Sequence, residues 1–112
     1  MKSDLSRKHC KPCDGPADRL PDSAIPDLLR QLPAWTVDAG ILRREFKFKN
    51  FHETMAFVNA VAWISHQENH HPDMDVGYNR AALSYITHTA NGLTENDFIC
   101  AAKVSKLLND NP

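Results

Sequence analysis

The sequence predicts an α+β fold in which helices pack on one face of a four-stranded antiparallel sheet, in the order α-β-β-α-β-β-α. A chain of 112 residues can bury one modest core, so a single folded domain is expected. Apolar residues recur at helical spacing in some segments and alternate with polar residues in others. The alternating segments come in adjacent pairs with short connections, which favours antiparallel pairing.

Residues 1–21 are predicted to form an irregular extension, and residues 22–112 the folded domain. The extension contains a C-x-x-C motif, Cys10 to Cys13, together with several Pro and Gly residues and few large apolar ones. Such a composition is typical of chain without regular secondary structure.

The first helix is predicted over residues 22–32. Asp22 or Ser23 is the expected N-cap, and Pro26 falls within the first turn, where proline is tolerated. Pro33 is expected to end the helix. Its apolar stripe consists of Ile25, Leu28, Leu29 and Leu32.

An antiparallel hairpin is predicted from residues 35–37 and 41–49, joined by a short connection that contains Gly40. Phe46 and Phe48 alternate with lysines, as expected of a half-buried strand.

The longest helix is predicted over residues 51–69, where the period becomes helical with no interrupting Gly or Pro. Pro72 is expected to end it, because the residue before a proline avoids the helical conformation. The predicted buried stripe consists of Met55, Val58, Val61, Ala62 and Ser65, with Phe57 and Ile64 beside it.

Two further strands are predicted at residues 76–78 and 81–87, with a turn at Asn79 and Arg80. Asn91-Gly92 is a second turn signal, and Thr94 with Asp97 forms a capping signal for the last helix. The predicted buried face of that helix consists of Phe98, Ala101, Ala102, Ser105 and Leu108.

The composition excludes several classes of protein. The 13 basic and 14 acidic residues leave a net charge of −1, which argues against a nucleic-acid-binding surface. No apolar run approaches the roughly 20 residues of a membrane span, and the first residues lack the apolar stretch of a secretory signal. With an odd number of cysteines, 3, the sequence predicts a protein of the reducing cytoplasm.

Four of the six histidines fall between His66 and His88, which makes this part of the chain the candidate site. His66 and His70 are four residues apart and share a helix face in the predicted helix, and His71 follows. His88 is expected on the fourth strand, on the face of Ser84 and Ile86. Converging imidazoles without a nucleophilic Ser or Cys favour acid–base catalysis over covalent catalysis.

Two alternatives remain from the residues alone. The His66/His70 spacing, with His88 as third ligand, also fits a metal site, and histidines at a helix end are often structural. The Cys10/Cys13 pair fits half a zinc site, with His9 and Cys100 as weak further ligands, or a redox pair. Cys100 itself is expected to be a small apolar residue of a buried helix face.

A run of positions in the second half of the chain resembles the signature of the pterin-4a-carbinolamine dehydratase family. That signature contains an acidic or basic residue, His-His-Pro, an aromatic residue, a distant His and an Asp at nearly fixed spacing. Leu32-Pro33-x-Trp35 and Gly92-Leu93-Thr94 add to the likeness, which covers residues 20–109. The matching residues are His66, His70, His71, Pro72, Tyr78, His88 and Asp97.

The resemblance implies dehydration of 4a-hydroxytetrahydrobiopterin, a pterin-4a-carbinolamine, to quinonoid dihydropterin and water, in tetrahydrobiopterin recycling for aromatic amino acid hydroxylases. An acid must protonate the leaving oxygen and a base must take a ring-nitrogen proton, and imidazoles do both without a metal or other cofactor. Asp97 is expected to orient one imidazole, that of His88. The implied catalytic residues are His70, His71, His88 and Asp97. The implied pterin-binding residues are His70, His71, Pro72, Thr87 and His88.

Two residues differ from the animal members that the chain resembles: His66 stands in place of Glu, and Met74 in place of Trp, which is expected to alter one wall of the pocket. The intact pattern favours catalysis over the alternative, a non-catalytic dehydratase-like binding or assembly module. Free sheet edges predict a homo-oligomer, and the resemblance implies a homodimer or homotetramer. It also implies a phenylalanine hydroxylase as partner, and no nucleic-acid or membrane partner is expected.

Overall fold

The predicted order of elements, α-β-β-α-β-β-α, is confirmed by a computed structural model that describes residues 4–13 and 15–108. Residues 1–3 and 14 of the predicted extension and residues 109–112 of the predicted domain lie outside the described residues. No helix in the described part of the chain is long and apolar enough to cross a membrane. The elements are α1 Ile25–Leu29, β1 Thr36–Asp38, β2 Ile41–Lys47, α2 Phe51–Glu68, β3 Asp73–Val76, β4 Arg80–Tyr85 and α3 Glu95–Leu107.

The four strands form one antiparallel sheet, as predicted, and their order across the sheet is β1-β2-β4-β3. In the central pair, Leu42 lies opposite Tyr85 and Phe46 opposite Ala81. Alternate residues of β2 and β4 are therefore buried against the helices, and this shared face is the centre of the hydrophobic core.

The buried face of α2 is rotated from the predicted one. Its buried residues are Thr54, Phe57, Val61 and Ile64, whereas Ala62 of the predicted stripe is exposed. The large ring of Phe57 determines the orientation, because it packs at a centroid distance of 4.6 Å from Phe46 of the sheet.

Several predicted boundaries were wrong because backbone geometry, rather than proline, ends the elements. Helix α2 ends at Glu68 because Asn69 adopts the left-handed conformation, with φ of 52°. Strand β3 begins earlier than predicted, at Asp73, and the turn to β4 is closed by a 2.8 Å hydrogen bond from the Gly77 amide to the Arg80 carbonyl.

Smaller corrections concern the first and last helices. Residues 22–24 form a 3₁₀ turn, so α1 is shorter than predicted, and neither Asp22 nor Ser23 caps it. Leu108, predicted to be buried, is 37% exposed because it follows the end of α3. The predicted capping box of Thr94 and Asp97 is confirmed.

The N-terminal segment, residues 4–13, is packed on the domain. Leu5, 1% exposed, belongs to the hydrophobic core. The Lys103 ammonium donates a 2.9 Å hydrogen bond to the Ser6 carbonyl, which ties the segment to α3. The division of the chain at residue 21 stays a prediction.

Replacing Leu5 with Ala is expected to lower the free energy of unfolding by about 2–4 kcal/mol, because it leaves a cavity in a packed core. Urea denaturation measures this change. Arg7→Ala is the matched control, since the Arg7 side chain is 83% exposed. Equal stability of the two variants would contradict the packing of the segment.

Candidate functional site

A cavity of about 210 Å³ lies where the α2–β3 connection meets the end of β4. We call it the histidine cavity, because it brings together three of the predicted catalytic residues, His70, His71 and His88. Its other lining residues are Asn69, Asp73, Ser84, Ile86, Thr87 and Thr89.

The carboxylate of Asp97 is fully buried and binds one of these imidazoles. Asp97 Oδ1 lies 2.6 Å from His70 Nε2. Asp97 Oδ2 accepts hydrogen bonds from the Thr87 hydroxyl at 2.8 Å and from the Thr94 amide at 3.0 Å. Because an ionised carboxylate only accepts, His70 donates from Nε2, and its Nδ1 is the nitrogen left for a substrate.

This arrangement corrects the prediction that Asp97 orients His88. His88 does not lie on a strand, because β4 ends at Tyr85 and residues His88–Ala90 form a 3₁₀ turn. The Thr87 and Gly92 backbones pair across that turn, which leaves the His88 side chain exposed.

The imidazole of His71 is oriented by the backbone of the next residue. Its Nδ1 lies 3.2 Å from the Pro72 carbonyl, which can only accept, so Nδ1 donates and Nε2 is left free. Pro72 is buried and does not line the histidine cavity, whereas Thr87, the other predicted binding residue besides the histidines, does.

The ring of Tyr85 stacks on the imidazole of His70. Tyr85 was not among the predicted site residues. Its ring lies nearly parallel to the imidazole, with 6.0 Å between centroids and an angle of 17°. Burial, with smaller effects from Cys100 and Asp97, raises the pKa of the phenol well above its usual value, so the ring stays neutral. The inward alternation of β4 was the sequence signal that could have identified it.

The two residues that differ from the animal members, His66 and Met74, lie away from the histidine cavity. His66 is exposed, and its ring contacts Trp63 at a centroid distance of 5.4 Å. Met74 packs against the hydrophobic core, so it does not form the pocket wall predicted for it.

The predicted metal alternatives lack a suitable geometry. The left-handed Asn69 takes His70 off the helix that contains His66, so the two do not share a helix face. Within residues 4–13 and 15–108, no group of three or more His, Cys, Asp or Glu side chains is arranged to hold a metal ion.

A second cavity, of about 330 Å³, adjoins the first and is lined on one side by the N-terminal segment. We call it the extension cavity. Lys11, Pro12, Cys13 and Asn96 line it. It shares Asn69, His70, Thr87 and Thr89 with the histidine cavity. His70 thus borders both cavities.

Cys10 and Cys13 lie in the N-terminal segment, and Cys100 lies in α3. Cys10 Sγ is 3.6 Å from Cys100 Sγ, and all three cysteines are free thiols. The contact with Cys10, together with burial, raises the pKa of the Cys100 thiol, which therefore stays protonated. Cys100 lies on the buried face of α3, as predicted.

Glu68, the last residue of α2, anchors the N-terminal segment. Its side chain is 5% exposed, and it accepts from the Cys10 amide at 2.7 Å and contacts His9 Nδ1 at 3.0 Å. Burial alone would raise the pKa of this carboxyl group, but the Cys10 amide, His9 and Lys103 outweigh burial and lower it.

We expect the stabilising effect of Glu68 to be lost in acid. A lowered pKa in the folded state stabilises the protein above the unfolded-state pKa of 4.5, and the effect disappears as the pH falls through the folded-state pKa. In urea denaturation, Glu68→Gln should therefore be less stable than the wild-type protein at about pH 6, and the gap should narrow as the pH falls below 4.5. The exposed Glu45→Gln should show no such gap, and a pH-independent gap for Glu68→Gln would contradict the prediction.

Comparison with known proteins agrees with the fold. Residues 18–107 match the family model "Pterin 4 alpha carbinolamine dehydratase". Two curated relatives, whose names assign them provisionally as pterin-4-alpha-carbinolamine dehydratases, come from Legionella pneumophila (strain Corby) and Nitrosospira multiformis. The first is 58% identical over 98% of this chain and 100% of the relative. The second is 56% identical over 93% of this chain and 92% of the relative.

Two solved structures are similar. The transcriptional coactivator/pterin dehydratase from Brucella melitensis has a TM-score of 0.76 and 33% identity, covering 80% of this chain and 97% of that one. A pterin dehydratase-like protein described as a RuBisCO assembly factor in the alpha-carboxysome has a TM-score of 0.58 over 69% of this chain and 89% of that one. At 24% identity, the second likeness extends to the fold alone.

Proposed function

The chain belongs to the pterin-4-alpha-carbinolamine dehydratase family, and from that premise we propose that it converts 4a-hydroxytetrahydrobiopterin to quinonoid dihydropterin and water. The observation that supports this function best is the 2.6 Å contact between the buried Asp97 and His70 beside a cavity that also contains His71 and His88. A carboxylate with no exposure that orients an imidazole at a cavity wall is suited to proton transfer.

The reaction breaks the bond between C4a and its hydroxyl oxygen and forms a double bond from C4a to the adjacent ring nitrogen, N5. A proton must reach the leaving oxygen, and another must leave N5. We assign the base to His70, because Asp97 stabilises the imidazolium that forms when Nδ1 accepts the N5 proton. The leaving oxygen then receives its proton from His71 or His88, which are exposed and recover a proton from solvent.

The direct test is the rate of 4a-carbinolamine dehydration, followed by ultraviolet absorbance after a hydroxylase generates the intermediate. The protein should accelerate it, and His70→Ala and Asp97→Asn should each lower kcat by about 100-fold or more, the usual range for a general acid or base. His52→Ala is the matched control, because His52 is exposed on the first turn of α2 and outside both cavities.

Wild-type turnover in folded His70→Ala would contradict the assignment of the base. A folded wild-type protein that gives no acceleration would contradict the dehydratase function and favour the alternative, a binding or assembly module. Circular dichroism of each variant separates lost catalysis from lost folding.

We also propose a metabolic role for this protein. In this proposal it acts in the cytoplasm, in tetrahydrobiopterin recycling, and a phenylalanine hydroxylase supplies its substrate. We also propose a homodimer or homotetramer, because β1 and β3 are edge strands and Trp63 and Tyr78 are 61% and 65% exposed. Sedimentation velocity at micromolar concentration should show the oligomer, and a monomer alone would contradict it.

A further inference from the structure

The N-terminal segment lines a cavity beside the proposed base, and no step of the dehydration uses that cavity. Lys11, Pro12 and Cys13 form its outer wall, and His70 lies on the boundary between it and the histidine cavity. If the pterin ring occupies the histidine cavity, the extension cavity is the adjoining space that a substituent on the ring can occupy.

The wall is built by specific contacts. Asn96, 8% exposed, accepts from the Lys11 amide at 3.0 Å and donates to the Lys11 carbonyl at 2.6 Å. The Thr89 hydroxyl donates to the Cys13 carbonyl at 3.3 Å. Two side chains of the domain therefore hold the backbone of the segment in place, which pre-organises the wall before a ligand binds.

The chemistry of the reaction identifies the part of the substrate that lies nearest to His70. The proton that leaves is on N5, and N5 is bonded to C6, the ring atom that carries the substituent in biopterin. With His70 at N5, a substituent on C6 is one bond from the proton-transfer site. It therefore lies close to His70, which borders both cavities.

We propose that the extension cavity binds the C6 substituent of the substrate and selects for one that bears hydroxyl groups; this inference rests on the proposed function. The lining residues include Lys11, Thr89 and Asn69, whose side chains carry hydrogen-bonding groups. A hydroxylated chain satisfies such groups, whereas a methyl group leaves them without a substrate partner. Lys11 is the residue that tests this selectivity, because it lines the extension cavity and its exposed side chain can be removed without disturbing the core.

The test compares two substrates, the carbinolamines of tetrahydrobiopterin, with a dihydroxypropyl chain, and of 6-methyltetrahydropterin. Lys11→Ala should lower the ratio of their kcat/KM values, tetrahydrobiopterin over 6-methyl, by about fivefold, the value of one hydrogen bond. Lys8→Ala is the matched control. It lies in the same segment and pairs with Glu95 at 2.9 Å, but it lines neither cavity, so it should keep the wild-type ratio.

Binding of the stable pterins biopterin and 6-methylpterin, measured by calorimetry, gives a second readout that needs no turnover. The ratio of their Kd values should change in Lys11→Ala and not in Lys8→Ala. An unchanged ratio in Lys11→Ala, or the same change in Lys8→Ala, overturns the proposal. If the wild-type protein is inactive and the binding ratio still responds to Lys11→Ala, the dehydratase function fails while the specificity of the cavity stands.

Discussion

The buried carboxylate of Asp97 is the contact on which the rest of the site depends. A fully buried charge is tolerated only when hydrogen bonds replace its lost hydration. Its donors come from three different parts of the chain: Thr94 before α3, Thr87 after β4, and His70 after α2. The Asp97 carboxylate, which caps the N-terminus of α3, therefore also joins the end of α2 to the end of β4.

This arrangement explains why catalytic geometry and fold cannot be separated here. His70 could not reach Asp97 if α2 continued, because a further helical turn would keep its side chain on the helix surface. The left-handed Asn69 ends the helix one residue earlier, and the Ser65 carbonyl accepts from the His70 amide at 3.1 Å. Backbone geometry at one residue thus places the imidazole between the carboxylate and the cavity.

The sequence predicted the features that short-range patterns determine. The β1–β2 hairpin, the turn at Asn91 and the capping box of Thr94 and Asp97 each involve residues that are close in the chain, so spacing was enough. The three histidines of the cavity were identified from their clustering in the sequence, whereas Thr87 was identified only through the family resemblance.

The predictions that failed depend on contacts between distant residues. The orientation of α2 follows from the packing of Phe57 on Phe46, and the start of β3 from its register with β4. The partner of Asp97 depends on which loop meets the N-terminus of α3, and neither periodicity nor spacing contains that information. His88 and His70 were equivalent on the sequence alone, but only His70 follows a turn that directs it inward.

The N-terminal segment shows how a stretch without α-helix or β-strand becomes part of a site. Glu68 binds the Cys10 amide, and His70 follows Glu68 by two residues. A displaced segment would leave the Glu68 carboxylate, 5% exposed, without its backbone donor at the turn that positions the proposed base. The position of the segment and that of His70 are therefore coupled through one short stretch of chain, from Glu68 to His70. Side chains outside the matched signature, Glu68 and Asn96 foremost, maintain the geometry that the signature residues use.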